Sequence, residues 1–275
     1  MSLTLAARQR LNDGREVPRL GLGVYRAAPG GEARAAVRWA LEAGYRHLDT
    51  ASAYGNERDV GDGLRDSGLA REEVYVTTKL WNSDQGYEQA LRACRQSLKE
   101  LGLGYVDLYL IHWPIEELRR DSWRALVQLQ KDGLCRSIGV SNFTAPHLEQ
   151  LRQTSDVVPA VNQVEMHPFL AQRELRGHCA REGIAIEAYS PLVKGRRFDH
   201  PVVAAVARRC GRSPAQVLLR WALEQGVVAI PKSVRHERIQ ENAAVFDFEL
   251  AEEDLRALDG LDADLHTAWN PTAIP

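Results

Sequence analysis

Four residue types that together can protonate a carbonyl oxygen stand at widely separated points of this chain. Asp49 closes an apolar run within Gly44-Tyr-Arg-His-Leu-Asp-Thr-Ala-Ser-Ala-Tyr-Gly-Asn-Glu57, and Tyr54 follows it on a loop. Lys79 and His112 each fall at the end of a later apolar or β-branched run. A phenol with a pKa of about 10 is a poor acid at neutral pH. A nearby ammonium favours the phenolate and lowers that value. Lys79 could supply the charge, Asp49 could hold Lys79 protonated and in place, and His112 could donate to a carbonyl and orient it. That chemistry is the reduction of an aldehyde or ketone. Each part also has a plainer role: an Asp–Lys pair is commonly a structural salt bridge, and a histidine beside Trp113-Pro114 commonly packs in a core.

Bringing these groups together requires elements that deliver their ends to one place. Short apolar runs predict strands at 20–25, 46–51, 74–80, 106–112, 137–141, 160–165, 184–189 and 227–231. Helix-period segments at 32–43, 57–67, 87–101, 122–131, 146–153, 172–182, 201–209, 214–224 and 237–245 separate or follow them. Eight strand–helix units imply parallel pairing and an α/β fold, a closed (β/α)8 TIM barrel. A further helix at 252–261 lies outside the repeat, and the short C-terminal tail, 262–275, reads as a loop. No linker or composition break divides the chain, so one domain spanning 1–275 is expected. Chemistry in such a barrel gathers at the C-terminal ends of the strands. Asp49, Lys79, His112, Asn142, Gln163, Tyr189 and Lys232 all fall at or near those ends.

Two further sites suit a nucleotide. Tyr189, after a strand, could stack on a flat heterocycle or sit in the core with its hydroxyl bonded. Lys232 and Arg238 flank a helix start, where backbone N–H groups and two cations could hold phosphate. A Rossmann phosphate loop is not supported, because Gly21-Leu-Gly23-Val-Tyr-Arg26 lacks the third glycine and leads into no helix. A metal-dependent barrel hydrolase built on His47, His112, His167 and Asp49 would be a rival, but no metal-ligand spacing supports it. No metal is expected.

Bulk properties narrow the class. Apolar residues make up 44% of the chain and charged residues 26%, ordinary for a globular protein. A formal net charge of -2 gives no general attraction to nucleic acid or to an anionic membrane. Cys94, Cys135, Cys179 and Cys210 are scattered, which fits reduced thiols in a cytoplasmic protein. The N-terminus lacks the apolar core of a signal peptide, and no run reaches the roughly 18 apolar residues of a membrane span.

The chain as a whole resembles the aldo-keto reductases. Besides the Gly44–Glu57 stretch, the resemblance rests on Leu11-Asn-Asp-Gly14 with Pro18-Arg-Leu-Gly-Leu-Gly23, Thr78-Lys-Leu-Trp81, Ile111-His-Trp-Pro114 and Gly139-Val-Ser-Asn-Phe143. Asn162-Gln163, Ala188-Tyr-Ser-Pro-Leu192, Ile230-Pro-Lys-Ser-Val234 and Arg238-Ile-Gln-Glu-Asn242 complete it. The resemblance implies an opening β-hairpin and reduction of carbonyls to alcohols by hydride transfer from NADPH. It casts Tyr54 as general acid, Lys79 and Asp49 as its tuning pair, and His112 as the group that orients the carbonyl. It implies that Tyr189 stacks on the nicotinamide and that Ser141, Asn142 and Gln163 bind its carboxamide. The 2′-phosphate would lie at Lys232 and Arg238, with Glu241 and Asn242 near the adenine. Gly23, Val24, Ser190, Leu192, Ser233 and Val234 complete the implied cofactor set; Arg235 stands where the family usually has a small residue, and could add a phosphate contact or point to solvent. Tyr25, Trp81 and Trp113 would line the substrate pocket. Loops after Trp113 and Leu192 are short, as in compact bacterial-type members, which implies an open pocket for small aldehydes, dicarbonyls and keto-sugars or their acids. His266, Trp269 and Asn270 could cover it, and Lys194, Arg196 and Arg197 could reach a pyrophosphate from the rim. A small carbonyl substrate, no nucleic-acid or membrane partner and a monomer are expected. A barrel that binds nucleotide in a regulatory role, with little turnover, is the other reading.

Overall fold

A computed structural model describes residues 3–274. Met1 and Ser2, on which the N-terminal reading begins, and Pro275 of the tail lie outside the described residues. The chain opens with an antiparallel hairpin, β1 (Arg8–Arg10) and β2 (Glu16–Pro18). Eight parallel strands follow in consecutive order. They are β3 (Leu22–Gly23), β4 (His47–Asp49), β5 (Tyr75–Leu80), β6 (Val106–Ile111), β7 (Cys135–Ser141), β8 (Val161–Glu165), β9 (Ala185–Tyr189) and β10 (Val228–Ile230). The first and last strands close on each other. Gly21 N–H donates to the Ala229 carbonyl at 2.9 Å, Ala229 N–H to Arg19 at 2.9 Å, and Gly23 N–H to Pro231 at 3.0 Å.

The helices are α1 (Glu32–Glu42), α2 (Glu57–Asp66), α3 (Tyr87–Leu101), α4 (Arg119–Lys131), α5 (Ala145–Arg152), α6 (Arg173–Arg181), α7 (Pro201–Cys210), α8 (Pro214–Glu224), α9 (His236–Ala243) and α10 (Glu252–Asp259). The (β/α)8 barrel and its opening hairpin are thus as the sequence predicts. Two spans differ. The first strand is only two residues long instead of the predicted 20–25, because the segment meets β10 through isolated bridges at Leu20 and Gly23. It then turns at Arg26, whose φ is 60°. The tail is not wholly irregular, since Pro271–Ala273 forms a 3-10 turn capped by Asn270 Oδ1 accepting from Thr272 N–H at 3.0 Å.

Alternation along the strands divides the apolar residues into two cores. Outward residues such as Leu48, Val76, Tyr109, Ile138 and Ala188 meet the helices in a large shell. Inward residues Tyr75, Leu108, Leu110, Val161, Ala185, Val228 and Ile230 form a second cluster with Leu11 and Val17 of the hairpin. Hairpin and apolar side chains together fill one end of the barrel. The polar inward residues occupy the rest.

Close packing of the helix ring also fixes Gly61. A Cβ added there would overlap the Leu101 carbonyl at the end of α3. Alanine is the better helix former by about 1 kcal/mol. Even so, Gly61→Ala is expected to destabilise the protein by about 1–3 kcal/mol through overpacking. Denaturant unfolding of the variant checks this, and a midpoint equal to or above the parent's would show that α2 and α3 can separate freely.

Candidate active site

Asp49 is the last residue of β4, Lys79 lies near the end of β5, and His112 follows β6 directly. Adjacent parallel strands therefore deliver all three to the same end of the barrel. Lys79 is fully buried and donates to Asp49 Oδ1 at 2.7 Å, Asp49 Oδ2 at 2.8 Å and the Thr50 carbonyl at 2.9 Å. Tyr54 is presented by the 3-10 turn Ser52–Tyr54, which ends at Gly55 with φ 67°. Its ring centroid lies 5.2 Å from Lys79 Nζ and 5.7 Å from the His112 ring, edge to face. Trp81 meets the other side of His112 at 5.1 Å, and Tyr25 packs on Tyr54 at 5.0 Å.

Sequence reading missed the residue that holds this turn. Asn56 is fully buried, accepts from Thr50 Oγ at 2.8 Å and donates to the Val24 and Ala27 carbonyls at 3.0 and 3.1 Å. Ser52 Oγ adds a bond to the Lys79 carbonyl at 3.0 Å. An amide two residues after the tyrosine, in a loop otherwise of small residues, was the available signal.

The acid–base balance differs from the sequence expectation in one respect. Burial pushes the Tyr54 phenol well above its ordinary range, and Asp49 and Tyr25 add to the rise, so the net shift is upward despite the nearby Lys79. The ammonium is clasped by both Asp49 oxygens, and that opposite charge offsets its field at the ring. Tyr54 is therefore fully protonated at neutral pH, the state a proton donor needs. Burial, then the Lys79 charge, hold His112 well below the usual histidine range, so its imidazole is neutral. A neutral imidazole donates from one nitrogen only.

Beneath the quartet lies a polar layer that sequence reading did not anticipate. Gln163, in the middle of β8 and not at its end, donates from Nε2 to Asp49 Oδ2 at 2.8 Å and to Glu187 Oε1 at 2.6 Å. Glu187 is fully buried. Burial first, then the Asp49 charge, push its carboxyl up to about 8. His47, also fully buried, contacts Thr77 Oγ through Nε2 at 3.1 Å, and burial pushes it down to about 3. Gly21 makes room for that imidazole: a Cβ there would lie 2.7 Å from His47 Nδ1. A glutamate in the middle of Ala-Ile-Glu-Ala-Tyr, at the inward register of its strand, was the sequence signal.

The nucleotide candidates form two groups. Tyr189, the last residue of β9, is half-buried and its hydroxyl donates to Asn142 Oδ1 at 2.8 Å. Asn142, with φ 63°, donates onward to the His112 carbonyl at 2.9 Å and to Ser141 Oγ at 3.1 Å. Ser141 Oγ donates to the Gln163 carbonyl at 2.8 Å. This row of linked polar groups runs beside the quartet, with the exposed part of the Tyr189 ring available to a flat partner. Ser190, with φ 50°, and Leu192 continue from it as a half-buried turn. Across the barrel seam, Gly23 and Val24 have their N–H groups bonded to Pro231 and Asp49 carbonyls.

The second group surrounds the start of α9. Lys232, Arg235 and Arg238 are exposed there, and no carboxylate pairs with any of them among the described residues. Ser233 is buried and accepts from Arg235 N–H at 3.2 Å, which shapes the turn into the helix. Val234 and Glu241 are half-buried and Asn242 is buried close by. Three unpaired cations at one helix start fit a phosphate monoester. Of the rim cations, Lys194 is engaged otherwise, donating to the Thr267 carbonyl, and Arg197 lies 5.8 Å over the Phe169 ring.

The mouth is walled by aromatics. Tyr25 is 49% exposed, Trp81 is half-buried and Trp113 is buried. Of the tail residues expected to cover it, Trp269 does stand against Trp113, 5.7 Å between centroids, while 71% exposed. His266 instead pairs with Asp264 at 3.2 Å and Asn270 caps its own turn. The tail is rooted by Glu165, another glutamate that sequence reading missed. Its carboxylate accepts from Thr267 N–H at 2.9 Å, Ala268 N–H at 2.9 Å, the Thr267 hydroxyl and His167 Nε2. Burial works against that charge, but the bonds from His167, Thr267 and Ala268 outweigh it and hold the carboxyl down to about 2.

The histidines of the hydrolase alternative are dispersed: His47 faces Thr77, His112 the mouth and His167 Glu165. Among the described residues, no three His, Cys, Asp or Glu side chains are grouped to hold a metal ion, and no helix is long and apolar enough to cross a membrane.

Comparison with known proteins places these features in a family. The model of the aldo/keto reductase family matches residues 19–263. The glyoxal reductase of Bacillus subtilis (strain 168) is 49% identical over 274 residues, covering 100% of this chain and 99% of its own. A crystal structure of an aldo/keto reductase from Brucella melitensis is 48% identical with a TM-score of 0.91, covering 94% of this chain and 100% of that one. The Bombyx mori aldo-keto reductase in complex with NADP is 38% identical with a TM-score of 0.90, covering 96% and 95%.

Proposed function

The chain belongs to the aldo/keto reductase family and is an oxidoreductase, and we propose that it reduces small aldehydes and ketones to alcohols with NADPH at the mouth of its barrel. The observation that carries this reading is the convergence of Tyr54, the Lys79–Asp49 pair and neutral His112 within one aromatic-walled opening. Bound along Tyr189 and the start of α9, the dinucleotide would supply the hydride. Tyr54 gives its proton to the carbonyl oxygen as negative charge develops there. His112 donates a hydrogen bond to the same oxygen and fixes its direction. Lys79 steadies the phenolate left on Tyr54, and Asp49 keeps Lys79 charged and in place. Ser141, Asn142 and Gln163 offer polar atoms to a carboxamide, and the Tyr189 ring a face for stacking. Gly23, Val24, Ser190 and Leu192 line the path between the two ends of the dinucleotide.

Tyr25, Trp81 and Trp113 recognise little beyond an apolar body, so the pocket reads the carbonyl and tolerates variation elsewhere. That supports a substrate class of small aldehydes, dicarbonyls and keto-sugars or their acids. The relative named as a glyoxal reductase points the same way. The chain acts as a single-domain, cytoplasmic monomer in this reading. Oxidation of NADPH by a panel of carbonyls tests it, and absence of turnover with every carbonyl would favour a regulatory nucleotide-binding barrel instead.

Preference for NADPH follows from Lys232 and Arg238, with Arg235 beside them. A hydrogen bond to a charged group contributes about 1.5–3 kcal/mol, so Arg238→Ala is expected to weaken NADPH binding by roughly tenfold or more. NADH binding should barely change, because it lacks the 2′-phosphate. Dissociation constants for both cofactors in parent and variant measure this. Equal constants in the parent would overturn the preference.

A further inference from the structure

The buried layer under the quartet holds a carboxyl group that the proposed reaction does not use. Gln163 Nε2 carries two hydrogens, and the structure places one acceptor for each: Asp49 Oδ2 at 2.8 Å and Glu187 Oε1 at 2.6 Å. The Asp49 carboxylate at that amide end identifies it as the NH2, since a carbonyl there would face an acceptor that carries no proton. Among the described residues no donor bonds the other end, Oε1. We infer that Glu187 is a positioning residue: with Asp49 it anchors the Gln163 amide so that the carbonyl oxygen, and not the NH2, is left for the carboxamide of a bound nicotinamide. The inference rests on the dinucleotide reading above and assigns that contact its polarity: Gln163 accepts, and the ligand's NH2 donates.

The anchoring works only if Glu187 and Asp49 are not both charged. Asp49 has the Lys79 ammonium on both its oxygens, whereas Glu187 Oε2 has no hydrogen-bond partner. The titratable groups around Glu187 are His47 and Asp49 from β4 and Lys79 and Tyr75 from β5. β8 contributes Gln163, and β10 sets Val228 beside Glu187 in register. His47 Nε2, at 4.0 Å, belongs to a neutral ring. One cation among these groups balances one carboxylate, which Asp49 claims. Glu187 therefore keeps its proton on Oε2 at neutral pH and accepts from Gln163 through Oε1. When alkali removes that proton, a second negative charge appears beside Asp49, in the layer that supports Tyr54.

Two measurements test this. Carboxyl-13C glutamate NMR on the ligand-free protein follows the titration of each side chain. One glutamate should titrate well above the rest, and its resonance should be missing from Glu187→Gln. If every glutamate titrates in the ordinary carboxylate range, the assignment of the buried proton is wrong. Binding of NADP+, read by tryptophan quenching at neutral pH, follows the anchoring. Glu187→Gln, neutral and of the same shape, should bind within about twofold of the parent, while Glu187→Ala should bind roughly five- to tenfold more weakly through the lost hydrogen bond. Unchanged affinity in a folded Glu187→Ala would overturn the positioning role. Should that variant not fold, Glu187→Leu, of similar size and without an acceptor, replaces it in the same binding measurement with the same expected loss. A parent that bound no dinucleotide would refute the functional reading and the carboxamide contact, while the titration would still judge the buried proton.

Discussion

Replacing Tyr54 by phenylalanine is expected to lower turnover by at least a factor of about a hundred, the contribution usual for a positioned general acid. Phenylalanine keeps the ring that packs on Tyr25 at 5.0 Å and meets His112 at 5.7 Å. The shape of the mouth is therefore preserved and only the proton is lost. Of the neighbouring groups, His112 is neutral, Lys79 is buried under the ring and bonded to Asp49, and Tyr25 packs on the ring from the exposed rim. Cofactor affinity should hardly change, because Tyr54 is not among the cofactor candidates. Single-turnover kinetics with saturating NADPH separate the two quantities. Activity within tenfold of the parent would remove Tyr54 from its role. Because burial holds the phenol well above its ordinary range, the donor stays protonated on moving from neutral into mildly alkaline solution. A fall in rate over that interval must come from another group, for which the carboxyl of Glu187 is positioned.

The second large effect falls on stability. Lys79 is fully buried and three oxygens share its ammonium. Lys79→Met keeps the length of the side chain and deletes the charge. Asp49 is then left in the interior with Gln163 Nε2 as its remaining side-chain donor. Removing one partner of a buried ion pair costs about 3–5 kcal/mol. For a chain of this size that is a fall in melting temperature of roughly 6–20 °C. Pairing the change with Asp49→Asn should recover much of the loss, since no uncompensated charge then remains. A double-mutant cycle by denaturant unfolding measures the coupling. If Lys79→Met alone unfolds like the parent, the pair is a weaker element of the site than its geometry indicates.

The quartet was legible from sequence because a parallel barrel converts strand ends into neighbours. Asp49, Lys79 and His112 needed only the alternation of strands and helices to be placed together, and Tyr54 only its short loop. What could not be read was the second layer. Whether Glu187 faces inward depends on the parity of β9, and its register is settled by hydrogen bonds to β8 and β10. A one-residue shift would have turned it toward the helices. Gln163 was read as near a strand end, and the strand does end at Glu165; what the sequence could not show is that Gln163 lies level with Glu187 of β9 and bonds to its side chain. The net rise at Tyr54, beside the lowering expected from Lys79, has a related reason. Proximity of the two residues was foreseen, but the chelation of the ammonium by both Asp49 oxygens is a matter of ångströms that spacing does not encode.

The way Glu165 grips the tail has a consequence for how this protein can change. Its donors at 267 and 268 are chiefly main-chain N–H groups, and only the Thr267 hydroxyl depends on residue type. Farther along, His147 Nε2 meets the carbonyl of Ile274 at 3.0 Å, again a main-chain atom. The segment between, 269–273, is thus tethered at both ends chiefly by main-chain atoms, N–H groups at 267 and 268 and a carbonyl at 274. Apart from Asn270, whose side chain caps the turn, its side chains can be exchanged as a cassette, Trp269 included, without removing either tether. The loop that overhangs Trp113 can be rewritten while the barrel below it stays as it is.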